Sequence, residues 1–373
     1  MMGSDTTNND AANYIAANNI MLNNIATSIS AAKKVRVSVI IVAYQSKADL
    51  ARCLPTILTQ SYQPLEIIVV NNSPEDDLES WLELNYPSVR LIQNTVNNGY
   101  AGGNNIGVTK ARGEFVFLLN PDTELQPGSL ETLVKAVQEN PDALITAKLL
   151  NPDGTINACG LEMHYTGITS CRGLNQAATQ YTELHETPLV SGGAFIISKK
   201  IFVELDGFDE DYFMYMEDVD LSLRARLRGL KILCAGDVSI IHRYKLAMSR
   251  QKFYYLERNR LLTLFKLYQP STLLKMTPAL LLTELATWFF ALLKGPSYLS
   301  TRWQSYIWLL QNKKQWQSSR QELNQQRRVS DKDLLKTGSV KLPLEQLVAN
   351  RSLSNILDTL IQPLYKICFR MLA

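Results

Sequence analysis

An α/β fold built on a mostly parallel sheet, followed by a separate helical region, is what the sequence predicts, and three observations predict it. Short runs that are apolar on both faces alternate with segments of helical spacing, the pattern of strands covered on both sides by crossover helices. At 373 residues, 46% hydrophobic and 20% charged, the chain has ordinary globular composition and room for a full core plus a second, smaller unit. Beyond Tyr268 the strand pattern stops and long apolar and Gln-rich stretches of helical character take over.

The elements follow in order. "VRVSVIIVAY" (35–44), "LEIIVV" (65–70), "VRLIQN" (89–94) and "EFVFLL" (114–119) read as strands, with helical spacing between them as at Leu50, Leu54, Ile57 and Leu58. A helix at about 127–139 precedes another strand in "ALITAKLL", and right-handed crossovers join the parallel strands. Residues 151–188 are less regular, hold two of the three histidines, and read as an insertion over the rim of the sheet. "SGGAFIIS" (191–198) resumes strand character, and "EDVDLSLRARLRGLKILCAG" gives a helix, with Gly229 as its C-cap, and then a strand.

Composition also excludes. A formal net charge of +3 is too small to imply nucleic-acid binding. The five cysteines, Cys53, Cys159, Cys171, Cys234 and Cys368, are scattered with no C-x-x-C pair, which reads as reduced thiols in a cytosolic setting. Residues 1–34 form an Asn- and Ala-rich leader expected to be poorly ordered; up to residue 32 it has no basic residue, unlike a secretory signal.

Three features share the expected strand-end rim, where open α/β sheets bind ligands. "VVNNS" (69–73) follows the second strand, "NNGYAGGNNIG" (97–107) comes next, and "NPD" (120–122) follows the fourth. Pro121 must end that strand, which leaves Asp122 just beyond it, either as part of a turn or facing a cation or polar ligand. Glycines 99, 102, 103 and 107 are read as letting the backbone approach a ligand closely. The turn after the first strand, "AYQSKAD", has no glycine, so a dinucleotide-binding fingerprint is absent, as is a phosphate-binding P-loop. Farther on, "DGFDEDYFMYMEDVDL" (206–221) interleaves seven acids with Phe208, Tyr212, Phe213, Met214, Tyr215 and Met216. Helix-dipole stabilisation explains acids at a helix start near Glu217 but not the aromatics before them; carboxylates against such walls have raised pKa values suited to a general base. His242 closes a strand that would reach the same rim, where with Asp122 it would make an oxygen-plus-imidazole site for Mg²⁺ or Mn²⁺.

Taken together, "VSVIIVAYQS", "EIIVVNNS", "NNGYAGGNNIG", "FVFLLNPDTEL", "SGGAFIISKKIFVELDGFDEDYFMYMEDVDLSLRARLRG" and "YYLERNRLL" resemble the successive motifs of a family 2 glycosyltransferase, nearest to the rhamnosyltransferase-like group of bacterial cell-surface polysaccharide synthesis. The resemblance spans about Val35 to Tyr268 and implies a GT-A type nucleotide-sugar-binding domain over 35–268. It implies inverting transfer of a sugar from a nucleotide-diphosphate donor to a hydroxyl of a glycan or lipid-linked acceptor. It also implies a divalent cation on Asp122 and His242, Asp218 as base beside Glu217, and donor contacts from Ala43, Tyr44, Asn71, Asn72, Gly102, Gly103, Asn104 and Asn120. Two positions depart from the family pattern: Asn71 stands where Asp is frequent, and Asn120 replaces the first acid of D-x-D. Both departures leave open a second reading, an inactive nucleotide-sugar-binding subunit. A sugar-nucleotide pyrophosphorylase would need a Gly-rich basic loop that "AYQSKAD" lacks.

The region 269–373 holds "LLKMTPALLLTELATWFFALL" (273–293), interrupted by Lys275, Pro278 and Glu284, then a basic Gln-rich stretch, then a helical stripe through Leu353, Ile356, Leu357, Leu360, Ile361, Leu364, Ile367, Cys368 and Met371. Two readings are open, a homodimer interface or peripheral attachment to the cytoplasmic membrane, and the second is favoured because a lipid-linked acceptor would be presented there.

Overall fold

The computed structural model describes residues 36–244, 247–347 and 351–370; the expected leader at 1–34 lies outside them. In chain order the elements begin β1 (Val37–Ala43), α1 (Lys47–Leu58), β2 (Glu66–Asn71), α2 (Leu78–Asn85), β3 (Val89–Gln93), α3 (Gly99–Lys110), β4 (Phe115–Leu119), β5 (Thr123–Leu125), α4 (Ser129–Glu139) and β6 (Leu144–Leu150). The insertion contributes the short strands β7 (Ile156–Ala158), β8 (Leu161–Met163), β9 (Thr169–Cys171) and β10 (Leu184–Glu186). Then come β11 (Ala194–Ser198), α5 (Lys199–Glu204), α6 (Glu217–Leu227), β12 (Ile232–His242) and α7 (Arg250–Leu267). The remainder is helical: α8 (Pro270–Lys294), α9 (Pro296–Gln311), α10 (Lys313–Gln326), α11 (Asp331–Lys336), α12 (Leu344–Leu347) and α13 (Arg351–Arg370), the last continuous through Pro363.

The central sheet runs β10-β12-β6-β11-β4-β1-β2-β3, with β5 and β7 attached at β12 and β6. β3, β2, β1 and β4 are parallel, as are β6 and β12, while β11 runs opposite to both its neighbours β4 and β6. That reversal places the start of β11 at the carboxyl ends of β4 and β6. The loop "SGG" before β11 therefore reaches the rim that the "NPD" turn also occupies.

One expectation is corrected here. From Gly99 onward "NNGYAGGNNIG" is the start of α3, and its glycines meet protein atoms instead of opening the backbone to a ligand. Each glycine inside a helix costs about 1 kcal/mol relative to alanine, and close packing on β1 offsets that cost. A Cβ at Gly103 would lie 2.7 Å from Val42 Cγ1, and one at Gly107 would lie 2.4 Å from Ile40 Cγ2.

Two apolar cores result. One joins β1, β2 and β4 through Ile40, Val42, Ile68, Val70, Val116 and Leu118 to α3 and to Phe195, Phe202 and Phe208. The other joins Met163, Tyr165, Tyr212, Met216 and Val219 to α7 and to Met276, Leu309, Leu334 and Tyr365 of the later helices. From Val37 onward the described residues pack as one compact unit, because this second core crosses the boundary at Tyr268. Tyr165 Oη donates to the backbone oxygen of Tyr365 at 2.8 Å across it.

Candidate active site

β4 ends at Leu119, and the register with β11 sets Leu119 opposite Ala194. The next backbone N–H, from Asn120, donates to Gly193 O at 2.9 Å. Asp122 follows and faces the last residue of β12: its Oδ1 lies 3.3 Å from His242 Nε2. Asn120 Nδ2 meets the same nitrogen at 3.4 Å. On the other side of the ring, His242 Nδ1 lies 3.1 Å from Asn157 Oδ1. An amide oxygen only accepts, so Nδ1 carries a proton, and in the neutral ring Nε2 turns its lone pair toward Asp122. A carboxylate oxygen and an imidazole nitrogen thus converge at the rim. The donor set fits Mg²⁺ or Mn²⁺.

Asp218 occupies the first turn of α6 and is buried. Its Oδ2 accepts from Gly192 N at 2.7 Å and its Oδ1 from Val219 N at 2.8 Å. Burial pushes its pKa up to about 6, against the pull of those two N–H donors. Glu217 is raised well above the carboxylate range, first by burial and then by the charge of Asp218. Its Oε2 is buried without a hydrogen-bond partner. Proximity at Gly192 and Gly193 joins the two halves of the site. A Cβ on Gly192 would lie 3.0 Å from Asp218 Oδ2, and one on Gly193 would lie 3.3 Å from His242 Cε1. Tyr100 sits among all three acids: Glu217, Asp218 and Asp122 each add to the burial that holds its hydroxyl proton, and that hydroxyl donates to Gly192 O.

The other acids of the cluster have structural partners. Asp220 is fully buried between Arg224 and Lys266, at 2.7 Å from each, and those two charges outweigh its burial and lower its pKa. Asp209 pairs with the same Lys266. Of the aromatics, Tyr212 is core, with its hydroxyl 3.2 Å from Asp220 Oδ1 and 2.9 Å from Thr263 Oγ1. Phe213 stacks on Tyr255 with ring centroids 5.3 Å apart. Phe213, Tyr215 and Met216 all have φ between 60° and 66°, a left-handed conformation that costs a bulky residue roughly 1–3 kcal/mol. Asn259 on α7 holds them there: Nδ2 faces the carbonyls of Tyr212, Met214 and Tyr215 at 3.0, 3.0 and 2.6 Å. Arg258 adds a bond to Tyr212 O at 2.8 Å.

The residues expected to contact a donor lie at the ends of β1 and β2, in the turn after β4 and in α3. Ala43 is buried at the end of β1, and Tyr44 beyond it is half exposed. Asn71 is fully buried, its Nδ2 bonded to Gln93 Oε1 at 3.0 Å and its Oδ1 accepting from Ser73 N at 2.9 Å. Asn72 spans Gly99 O and Asn94 Nδ2 at 2.8 and 2.7 Å. Gly102 faces Asn98 and Glu210, and Gly103 faces Val42 and Asn72, so their neighbours in the structure are protein atoms. Asn104 donates to Tyr100 O at 2.9 Å, and its buried Oδ1 has no partner.

Sequence reasoning did not assign Asn157, Gly192, Gly193, Tyr100 or the Arg258–Asn259 pair. The last had a usable signal. "ERNR" sets four consecutive polar residues between the apolar runs "FYYL" and "LL", and such a run occupies every face of a helix, so some of it must be buried and paired.

A mostly parallel sheet whose carboxyl-end rim gathers an Asn-Pro-Asp turn, an imidazole and a carboxylate pair defines a GT-A type fold. Two solved glycosyltransferase structures superpose accordingly. GalNAc-T7, crystallised with UDP, GalNAc and Mn²⁺, aligns at TM-score 0.52 and 17% identity over 62% of this chain and 48% of that one. S. aureus TarS 1-349 in complex with UDP aligns at TM-score 0.51 and 18% identity over 87% of this chain and 88% of that one. Residues 38–206 match the family model described as glycosyl transferase family 2. Among curated relatives it is 30% identical over 220 residues to the O-antigen biosynthesis protein RfbC of Myxococcus xanthus, covering 54% of this chain but only 17% of that protein's length. It is 28% identical over 229 residues to the N-acetylglucosaminyl-diphospho-decaprenol L-rhamnosyltransferase of Mycobacterium tuberculosis, covering 55% of this chain and 75% of that protein. The chain is thus similar to rhamnosyltransferase-like members of the family.

Proposed function

We propose that this protein is an inverting glycosyltransferase that moves a sugar, with rhamnose the first candidate, from a nucleoside-diphosphate donor to a hydroxyl of a glycan or lipid-linked acceptor. The observation that carries the proposal is the "SGG" loop, which holds Asp218 through Gly192 and stands beside His242 through Gly193. Asp218 and the Asp122–His242 pair are thereby held beside adjacent residues, which supports the reading that they act on one substrate.

In this reading Asp218 takes the acceptor hydroxyl's proton as that oxygen attacks the anomeric carbon. The new carbon–oxygen bond forms on the face opposite the diphosphate as the sugar–phosphate bond breaks. A carboxyl group with a pKa near 6 is ionised at neutral pH yet basic enough to accept that proton. Gly192 N and Val219 N keep both carboxylate oxygens aimed. Glu217, held neutral by burial, avoids placing a second charge beside it. Asp122 and His242 are the residues that would hold a divalent cation, which when bound would neutralise the leaving diphosphate. Asn157 fixes the His242 tautomer that leaves Nε2 free for that role.

The test is turnover against a panel of nucleotide sugars with Mg²⁺ or Mn²⁺, comparing the intact chain with Asp218→Asn. The variant should lose roughly 10²- to 10⁴-fold in rate while keeping nucleotide-induced thermal stabilisation. The rate of the intact chain should fall as pH drops through about 6, where Asp218 takes up its proton. Near-normal turnover in the variant, or full activity after exhaustive chelation, overturns the assignment. Nucleotide binding with no turnover on any donor favours the binding-subunit reading.

We further propose that the helical region lies on an anionic membrane surface. α8 is long and apolar enough to cross a bilayer. However, its Glu284 turns inward, bonded to Arg260, Arg302 and Tyr306, which suits a helix lying against the protein. Its outward stripe, Leu281, Leu285, Phe289 and Leu292, is about three-fifths exposed or more, as an interfacial helix requires.

A further inference from the structure

Away from the rim, near the start of β12, two thiols and an imidazole meet. Cys234 in β12 and His185 in β10 are paired in the antiparallel register, and Cys159 follows β7 immediately. Cys159 Sγ lies 2.9 Å from Cys234 Sγ and 3.8 Å from His185 Nε2. Both sulfurs are buried, while His185 reaches partial exposure. We propose that Cys159, Cys234 and His185 form a site for a soft divalent cation of the Zn²⁺ class, fastening the 151–188 insertion to the edge of the sheet.

Sulfurs in van der Waals contact sit roughly 3.6 Å apart, so two at 2.9 Å need a bond, a shared proton or a shared cation between them. A disulfide requires about 2.05 Å. Tetrahedral Zn²⁺ with bonds of about 2.3 Å requires roughly 3.8 Å. The thiol pair lies between these limits, and the imidazole decides between them. His185 Nδ1 faces the carbonyl oxygen of Glu183 at 2.9 Å, so Nδ1 is the protonated nitrogen and Nε2 aims its lone pair at Cys159. That carbonyl-to-imidazole bond is the second-shell arrangement which orients a metal-binding histidine. Tyr181 stacks on the ring at 5.2 Å and Arg172 lies over Tyr181 at 4.8 Å, so the ring is held from a second side. A disulfide would leave this orientation without a purpose. Binding would displace one proton from each thiol, leaving two thiolates and a neutral imidazole on the ion, with a solvent oxygen on the exposed side as fourth ligand. The site has a consequence for the rim, because Asn157, which orients His242, lies two residues before Cys159.

The test uses the full chain purified under reductant, with Zn²⁺ and then Co²⁺ as probes. One equivalent of Zn²⁺ should remain after dialysis, and Co²⁺ should give sulfur-to-cobalt charge-transfer absorption in the near ultraviolet. Cys234→Ser should abolish that absorption. His185→Ala, at a partly exposed position, should fold and lose the tightly held equivalent, whereas Asp122→Ala should keep it. Cys159 and Cys234 reacting as freely with a thiol reagent in the presence of Zn²⁺ as in its absence overturns the proposal. So does a Cys159–Cys234 disulfide in protein kept under reductant, or a cobalt spectrum that His185→Ala leaves unchanged.

Discussion

Glu217 and Asp218 are neighbours whose carboxyls meet different surroundings. Asp218 is satisfied by two backbone N–H groups and Glu217 keeps one buried oxygen unpaired. Burial therefore raises Glu217 further, and the sign of its effect on stability follows. A carboxyl whose folded pKa exceeds its unfolded value of 4.5 binds its proton more tightly when folded, so stability falls as pH rises above 4.5 until the folded group ionises. Glu217→Gln mimics the neutral acid and removes that dependence. Its thermal midpoint should decline less from pH 5 to pH 8 than that of the intact chain. The difference should approach about 1.4 kcal/mol per pH unit where the unfolded group alone is ionised. Equal slopes in calorimetric melts across that range would show that Glu217 is ionised in the folded protein.

Most strands were legible because their apolar runs are buried on both faces: β4 is the predicted "FVFLL" run, and β12 ends at His242 as expected. α3 was not, since glycine is a poor helix former and only contact with Ile40 and Val42, which is invisible in sequence, makes a helix of this run. Asp122 was readable as a rim acid, because a proline stops its strand, and Asp218 as an acid at a helix start beside aromatic residues. Asn157 and Asn259 were not, since each acts on a segment far away in the chain. Asn259 illustrates element-scale support: one amide bridges three carbonyls of the 212–215 turn, which leads into α6 and so sets where Asp218 begins. Asn259→Ala should orphan carbonyls costing about 1–3 kcal/mol each where buried and relax the left-handed turn. Turnover should fall at least roughly tenfold through kcat with donor KM little changed, because the donor side rests on other strands. An unchanged kcat in a variant shown to be destabilised would detach this turn from catalysis.

At the scale of the molecule, charge and apolar surface are unevenly distributed. Residues 269–373 carry fourteen Lys and Arg against six Asp and Glu, whereas residues 1–268 carry twenty-four against twenty-nine. The basic region also holds the exposed apolar side chains Leu285, Phe289 and Leu292 of α8, Trp303 and Leu310 of α9, and Ile356, Leu360 and Ile367 of α13. Such a surface combines the two terms that bind an interfacial helix, apolar burial and attraction to anionic headgroups at about 1 kcal/mol per basic residue. Removing the helices is a poor test, because Tyr365, Met276 and Leu309 belong to the core that also buries Tyr212 and Met216 beneath the site. Exposed substitutions are cleaner. Leu285→Gln, Phe289→Gln and Leu292→Gln together should leave folding intact while forfeiting roughly 1.5–3 kcal/mol of membrane burial at each position. The intact chain should pellet with vesicles containing anionic lipid at low salt, release as salt rises, and bind neutral vesicles weakly, while the triple variant stays in the supernatant. If the intact chain stays in the supernatant too, and sedimentation velocity shows a dimer that the same three substitutions dissociate, the face is a contact between two copies and the membrane reading falls.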